Sequence, residues 1–290
     1  MPSGSWRYRA FGLVLQSDFE LGSLSESDGG APPADVRIRA HGSEAPPSTD
    51  GIRISWDGVC QLGASNGNQL DVYPASGALP ADVELSILGA GLALVLDQRE
   101  VLVLHGSCVE IDGVAVGMIG PSGVGKSTIA AALGAAGHRI LSDGMTAIDA
   151  ADGELAALPG LPLLKLLPDA AERLGFSPEL SARVHPSSPK LLCDAGAAFS
   201  SRRGPLAALL VLSAGGAVGL TRLRPSAAAF ELTKNFFLID ELGATRAESI
   251  LRRCSNLAER LEVHSLGRTG LDELPLVVEL VTALARRLRS

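Results

Sequence analysis

The segment Gly120-Pro-Ser-Gly-Val-Gly-Lys-Ser-Thr128 carries the strongest chemical signal in the chain. It fits G-x-x-x-x-G-K-S throughout. An apolar run, Val114 to Ile119, precedes it, and an Ala- and Leu-rich run, Ser127 to Ala136, follows. A strand entering such a turn and a helix leaving it aim backbone N–H groups and the positive helix end at one anion. Glycine at 120, 123 and 125 admits backbone angles and close approaches that a Cβ would forbid. Gly120, Pro121, Ser122, Gly123, Val124, Gly125, Lys126, Ser127 and Thr128 are therefore the candidate nucleotide-binding residues. Lys126 would reach the β and γ phosphates, and the Ser127 hydroxyl would ligate Mg²⁺. The bland reading is a glycine-rich turn that fits the pattern by chance.

Two residues outside the loop could act on what it holds. Asp143 falls at the end of the first expected strand after the loop's helix, His138 to Ser142. In an α/β sheet that strand end faces the ligand crevice. A carboxylate there can bind Mg²⁺ or take a proton from an incoming hydroxyl. The bland reading is an Asp at an ordinary strand-to-turn junction. His105 lies in an expected strand, Val101 to Ile111, that is joined to Val114–Ile119 by Asp112-Gly113. Asp-Gly between two β-rich runs signals a type I′ hairpin. That pairing places His105 roughly opposite Gly120, within reach of the loop. The bland reading is a core or edge histidine with a satisfied hydrogen bond.

The elements that must position these residues divide the chain in two. Residues 1–85 read as a small β-rich, loop-rich domain, with strands at Tyr8–Leu15, Asp35–Arg39, Gly51–Trp56 and Gln69–Tyr73 and no evident chemistry. Residues 86–290 read as the α/β domain bearing the loop, introduced by a buried helix at Val83–Gln98. A second hairpin is expected about Asp152-Gly153. Further on, Leu206–Ser213 reads as a core strand, and Phe230–Asn235, Ala247–Glu262 and Leu271–Leu288 read as helices. A mixed sheet follows, because a hairpin before the loop departs from an ordinary doubly wound crossover.

Composition narrows the functional classes. The 290 residues are 46% hydrophobic and 20% charged, which excludes a disordered chain. The net charge of −7 argues against a general nucleic-acid binder. Four scattered cysteines form no CxxC pair, so neither a zinc site nor a disulfide framework is indicated, and free thiols in a reducing cytoplasm are expected. No apolar stretch reaches the length of a membrane span, and the N-terminus lacks a signal-peptide pattern. The expected location is the cytoplasm.

The continuous text from Leu104-His-Gly-Ser through Gly137-His-Arg-Ile-Leu-Ser-Asp143 resembles the catalytic core of HPr kinase/phosphorylase and of the short relatives found in lasso-peptide biosynthetic clusters. It shares with them a Leu-His before a hairpin, a GxSGxGKS loop, then Gly-His and a strand ending in Asp. Weaker likeness lies in Arg9-Ala-Phe-Gly-Leu, in Pro159-Gly-Leu-Pro-Leu-Leu-Lys-Leu-Leu-Pro-Asp and at Lys190. The resemblance implies a P-loop kinase core with a mixed sheet, beside the small N-terminal domain. It further implies ATP and Mg²⁺, and transfer of the γ-phosphate to a serine of a peptide or small protein, such as the C-terminal serine of a lasso-type precursor. Asp143, His105 and Lys126 would be catalytic, Ser127 and Asp143 would hold the metal, and His105 would support Asp143. A homo-oligomer is compatible with it.

Two departures accompany the likeness. The family's second Asp is Gly144 here, with Asp149, Asp152 and Glu154 as weak substitutes. The downstream signature that supports phosphorolysis is missing, so the carrier protein itself is not the expected acceptor. Two other readings stay open: a small-molecule P-loop kinase, and a nucleotide-binding regulatory module without catalysis. Lys165 and Lys190 are surface lysines by default, or contacts for phosphate or an acidic peptide.

Overall fold

The computed structural model describes residues 5–27, 32–43, 52–176, 182–183, 188–268 and 270–289. The chain forms two compact units, Met1–Val101 and Leu102–Ser290. The expected boundary at 85/86 therefore moves downstream, for a packing reason given below.

The first unit is built on a sheet of six strands among the described residues. Its strands are β1 (Trp6–Ala10), β2 (Leu13–Ser17), β3 (Val36–Ala40), β4 (Ile52–Trp56), β5 (Cys60–Ser65) and β6 (Gln69–Pro74), in the order β1-β2-β3-β6-β5-β4. The single strand expected over Tyr8–Leu15 is instead a hairpin. Phe11 and Gly12 both take positive φ, 53° and 74°, and Ala10 pairs with Leu13. Strand β5 was not foreseen. Gly51 of the expected third strand lies outside the described residues. The expected helix at Val83–Gln98 starts earlier and is broken: α1 (Pro80–Ser86) and α2 (Leu92–Gln98) flank a π-helical turn, Ile87–Gly91. Gly91 lies against the sheet, and a Cβ there would stand 2.8 Å from Leu70 and 3.3 Å from Leu62. This docking against β5 and β6 is why the helices belong to the first unit.

The second unit is built on a mixed sheet of eight strands among the described residues. Strand β7 (Leu102–Leu104) bends at His105 into β8 (Gly106–Ile111), which turns at Asp112-Gly113 into β9 (Val114–Ile119). The turn has φ of 50° and 91°, and Ile111 pairs with Val114, as the Asp-Gly signal requires. Helix α3 (Lys126–Ala135) leaves the glycine-rich turn and stops before Gly137, whose φ is 93°. Then come β10 (Arg139–Ser142), β11 (Thr146–Asp149) and β12 (Ala156–Ala157). The hairpin expected about Asp152-Gly153 pairs Ile148 with Ala157, but a 3₁₀ turn, Ala151–Gly153, makes the connection.

A small three-stranded sheet follows, with β13 (Leu163–Leu166), α4 (Pro168–Arg173), β14 (Ala182–Arg183) and β15 (Leu191–Asp194). Strand β16 (Gly204–Arg222) extends well beyond the expected Leu206–Ser213. It pairs parallel with β9. Gly215 and Gly216 take φ of 87° and 85°, and there the ribbon reverses. Helices α5 (Pro225–Lys234) and α6 (Ile239–Arg260) lead to β17 (Glu262–Arg268), and α7 (Leu274–Arg289) ends the unit. Strand β17 pairs with both arms of β16: Ala208–Ser213 run parallel to it and Gly219–Arg222 run back.

The core lies between this sheet, α3, α7 and the small sheet. It holds Val109, Ile111, Val116, Met118, Ile129, Leu133, Leu164, Leu166, Leu210 and Leu266. Helix α7 contributes Leu274, Val277, Val281, Leu284 and Ala285, an i, i+3, i+4 stripe.

The junction of β8 with β9 tolerates no side chain at Gly106. A Cβ there would stand 2.6 Å from the Met118 carbonyl oxygen and 2.9 Å from Thr146 Oγ1. Gly106→Ala is expected to destabilise the protein by ~1–3 kcal/mol through overpacking against backbone. Gly113→Ala meets open space and should cost about 1 kcal/mol, from its left-handed φ alone. Urea unfolding of both variants checks the ranking, and equal midpoints would refute it.

Candidate functional site

Three segments far apart in sequence meet at Asp143. The residue follows β10, which lies antiparallel to β8 with Ser142 opposite Cys108. Asp143 is buried, at 8% exposure. The Ser107 hydroxyl donates to Oδ1 at 2.5 Å, and the Lys165 backbone N–H donates to Oδ2 at 2.7 Å. Both oxygens are thus fixed, one from β8 and one from β13. Ser107 was missed by sequence reasoning. The available signal was its place two residues after His105, on the same face of a strand.

The glycine-rich turn leaves its outer residues accessible: Pro121, Ser122 and Gly123 are exposed. The φ values of Gly120, Gly123 and Gly125 are 141°, 82° and 100°. At Gly120 a Cβ would also stand 2.7 Å from the Leu212 carbonyl oxygen. Lys126 begins α3, is buried at 7% exposure, and donates from Nζ to the carbonyl oxygens of Gly120 at 2.6 Å and Pro121 at 2.9 Å. Its ammonium therefore spans the mouth of its own turn. Ser127 and Thr128 are half-buried in the first turn of the helix.

His105 sits where the chain passes from β7, paired with β11, to β8, paired with β9. The β8–β9 register ends with Gly106 opposite Ile119, one residue short of the expected His105–Gly120 pair, because the chain bends at His105. The His105 backbone N–H donates to the Asn235 carbonyl at 2.7 Å, and its ring lies 5.9 Å from that of Phe237. The hydrogen bonds to the Asp143 carboxylate come from Ser107 and Lys165, whereas the expected support from His105 takes no hydrogen bond; the carboxylate acts on the His105 ring by opposing its pKa depression.

Burial is the largest influence on the basic groups of the site, and their mutual repulsion adds to it. Burial first, then the ammoniums of Lys126 and Lys165, lower the His105 pKa to about 4, against an opposing pull from Asp143 and with a further push from Lys190. Burial lowers Lys126 to about 8, with Asp143 opposing. Burial also lowers Lys165, again opposed by Asp143. Lys165 and Lys190, surface lysines by default, therefore belong to the same electrostatic neighbourhood as Asp143.

Gly144 takes φ of +81°, and the Lys165 ammonium stands 3.6 Å from where its Cβ would be. Of the possible substitutes for a second carboxylate, Asp149 is engaged elsewhere and the Glu154 side chain has no partner at the site among the described residues. Asp149 caps the N–H of Ala151 and pairs with Arg203. Glu154 is exposed, and the side chain of Asp152 lies outside the described residues. Among the described residues no group of three or more His, Cys, Asp or Glu could hold a metal alone. A hydroxyl at Ser127 and one carboxylate at Asp143 suit Mg²⁺, a hard cation that keeps waters and takes phosphate oxygens. No helix among the described residues is long and apolar enough to cross a membrane, and the four cysteines are buried thiols.

The lowered His105 pKa has a defined pH consequence. Between about pH 4 and 6.5 the unfolded chain binds a proton that the folded site does not. Stability therefore rises with pH across this window and is lost as pH falls through it, by on the order of 3 kcal/mol at most. The His105 ring protons are expected to titrate near 4 by NMR, and His105→Gln should flatten the acid limb of the urea midpoint. A titration near 6.5 would contradict the described environment.

Neither a protein-family model nor a curated protein matches the chain. Among solved structures, it is similar to the HPr(Ser) kinase/phosphatase from Coxiella burnetii, at 12% identity over 65% of this chain and 99% of that one, with a TM-score of 0.37. That overlap is too loose to transfer a residue or an activity.

Proposed function

We propose that the second unit is an ATP-dependent phosphotransferase that moves the γ-phosphate to a serine hydroxyl of a peptide or small protein. The observation that carries this reading is the pinned Asp143 carboxylate, within electrostatic reach of the Lys126 ammonium at the glycine-rich turn. Phosphoryl transfer asks little covalent chemistry of a protein. It asks for positioning and for charge where charge develops.

The roles follow from the chain's own groups. The backbone N–H groups of residues 122–128, at the glycine-rich turn and the start of α3, would hold the triphosphate. Lys126 would exchange its two carbonyl partners for phosphate oxygens. Asp143 would align the acceptor hydroxyl and take its proton as the hydroxyl oxygen bonds to the γ-phosphorus. The bond from that phosphorus to the β–γ bridging oxygen breaks, and ADP leaves with the electron pair. Ser107 and the Lys165 N–H would keep the carboxylate aimed. Ser127 and Asp143 would hold Mg²⁺, which when bound neutralises phosphate charge. The serine acceptor, and within it the C-terminal serine of a lasso-type precursor, rests on the resemblance of Leu104–Asp143 alone.

A second reading is favoured by one specific observation. An ammonium, not a carboxylate, borders residue 144. A site with a single carboxylate could bind nucleotide and signal its presence without transfer.

Mass spectrometry of serine peptides incubated with ATP and Mg²⁺ separates the two, since transfer adds one phosphate to the peptide. Lys126→Ala is expected to lower turnover at least 10²-fold through lost charge stabilisation, and Asp143→Asn by about 10²–10⁴-fold through lost proton acceptance. Circular dichroism and urea unfolding should show both variants folded. Undiminished turnover in both would sink the assignment, and ATP binding with no transfer to any acceptor would leave the regulatory reading.

A further inference from the structure

The three-stranded sheet of β13, β15 and β14 has two unlike faces. Leu164 and Leu166 of β13, with Leu191 and Cys193 of β15, are buried in the core. Lys165 points the other way, opposite Leu192. Lys190 directly precedes Leu191, the partner of Leu166, so it leaves the same end of this strand pair as Lys165, and its charge acts on Lys165. One small oxyanion can bridge two flexible ammoniums so placed.

Neither ammonium is committed elsewhere. Among the described residues, the side chains of Lys165 and Lys190 have no hydrogen-bond or ion-pair partner, whereas Lys126 has two carbonyls. A half-buried ammonium without a partner is costly. Such a group suits a ligand that supplies the missing charge. The chain also keeps this cation free. Gly144 has no side chain, and a carboxylate rooted there would begin 3.6 Å from Lys165 Nζ and engage it.

The placement relative to Asp143 says which substrate is met. The Lys165 backbone holds Oδ2 of that carboxylate, so its side chain leaves from the group that would align the acceptor hydroxyl. The glycine-rich turn has its own cation, Lys126. We propose that Lys165 and Lys190 form an oxyanion-binding pair that holds a carboxylate or phosphate group of the acceptor beside the hydroxyl to be phosphorylated. This rests on the reading of Asp143 as the group that aligns that hydroxyl. The pair itself can be tested without any transfer.

The experiment is lysine acetylation of the full chain, followed residue by residue by mass spectrometry, with acetate and inorganic phosphate as probes and MgATP present. At least one probe is expected to slow labelling of Lys165 and Lys190 together, by threefold or more. Lys190→Gln should abolish the protection of Lys165, and Lys165→Gln that of Lys190. Whichever probe protects assigns the acceptor's anion as carboxylate or phosphate. Protection by MgATP alone, with nothing added by either probe, would give the pair to the nucleotide and overturn the proposal. So would the absence of any protection, or protection of one lysine that survives loss of the other. Failure of the kinase reading has a different signature: MgATP leaves Lys126 labelling unchanged while the probes still protect the pair.

Discussion

Asp143 is held from two directions by groups that are themselves held, and the candidate site depends on that arrangement. A buried carboxylate is tolerated only when its oxygens find donors. Here one donor is a hydroxyl on β8 and the other a main-chain N–H on β13. Strand β8 is fixed in register by the turn at Asp112-Gly113 and flanked by β9 and β10. Strand β13 is fixed by pairing with β15 and by Leu164 and Leu166 in the core. The same turn-enforced register sets Gly106 opposite Ile119, so one hairpin orients both the carboxylate's support and the entry to the glycine-rich turn.

What the sequence makes legible here is set by range. Asp112-Gly113, Gly123, Gly125 and Gly137 announce themselves because positive φ is a property of one residue and its neighbours. The α3 and α7 helices are legible for the same reason, one from its glycine-rich entry and the other from its apolar stripe. Asp143 is legible because a strand, a loop and a short helix leave the next strand end little freedom.

Long-range pairing is where local reading stops. Ser107 becomes a site residue only because β10 lies beside β8, and Lys165 only because β13 returns to Asp143. Neither fact is written within a few residues of either side chain. The same limit applies to His105: which neighbour of Asp143 carries a hydrogen to it is decided by the sheet, not by spacing along the chain. Strand β17, enclosed by the two arms of β16, could not be inferred from its own seven residues. In the first unit, Phe11 hid a turn because a bulky residue rarely takes φ of 53°.

The chain is acidic overall, at −7, yet gathers Lys126, Lys165 and Lys190 around a single carboxylate. Burial is the first cause of the depressed pKa values of Lys126 and His105, and repulsion from neighbouring ammoniums adds to it. Such an arrangement stores unfavourable energy that an anion can relieve, and low-dielectric walls focus its field outward to draw the anion in. A second carboxylate at position 144 would relieve it permanently. Glycine at that position, with a backbone angle that penalises any side chain, keeps the relief for a ligand. In the proposed reading, glycine at 144 thus leaves neutralisation of the site to a bound anion.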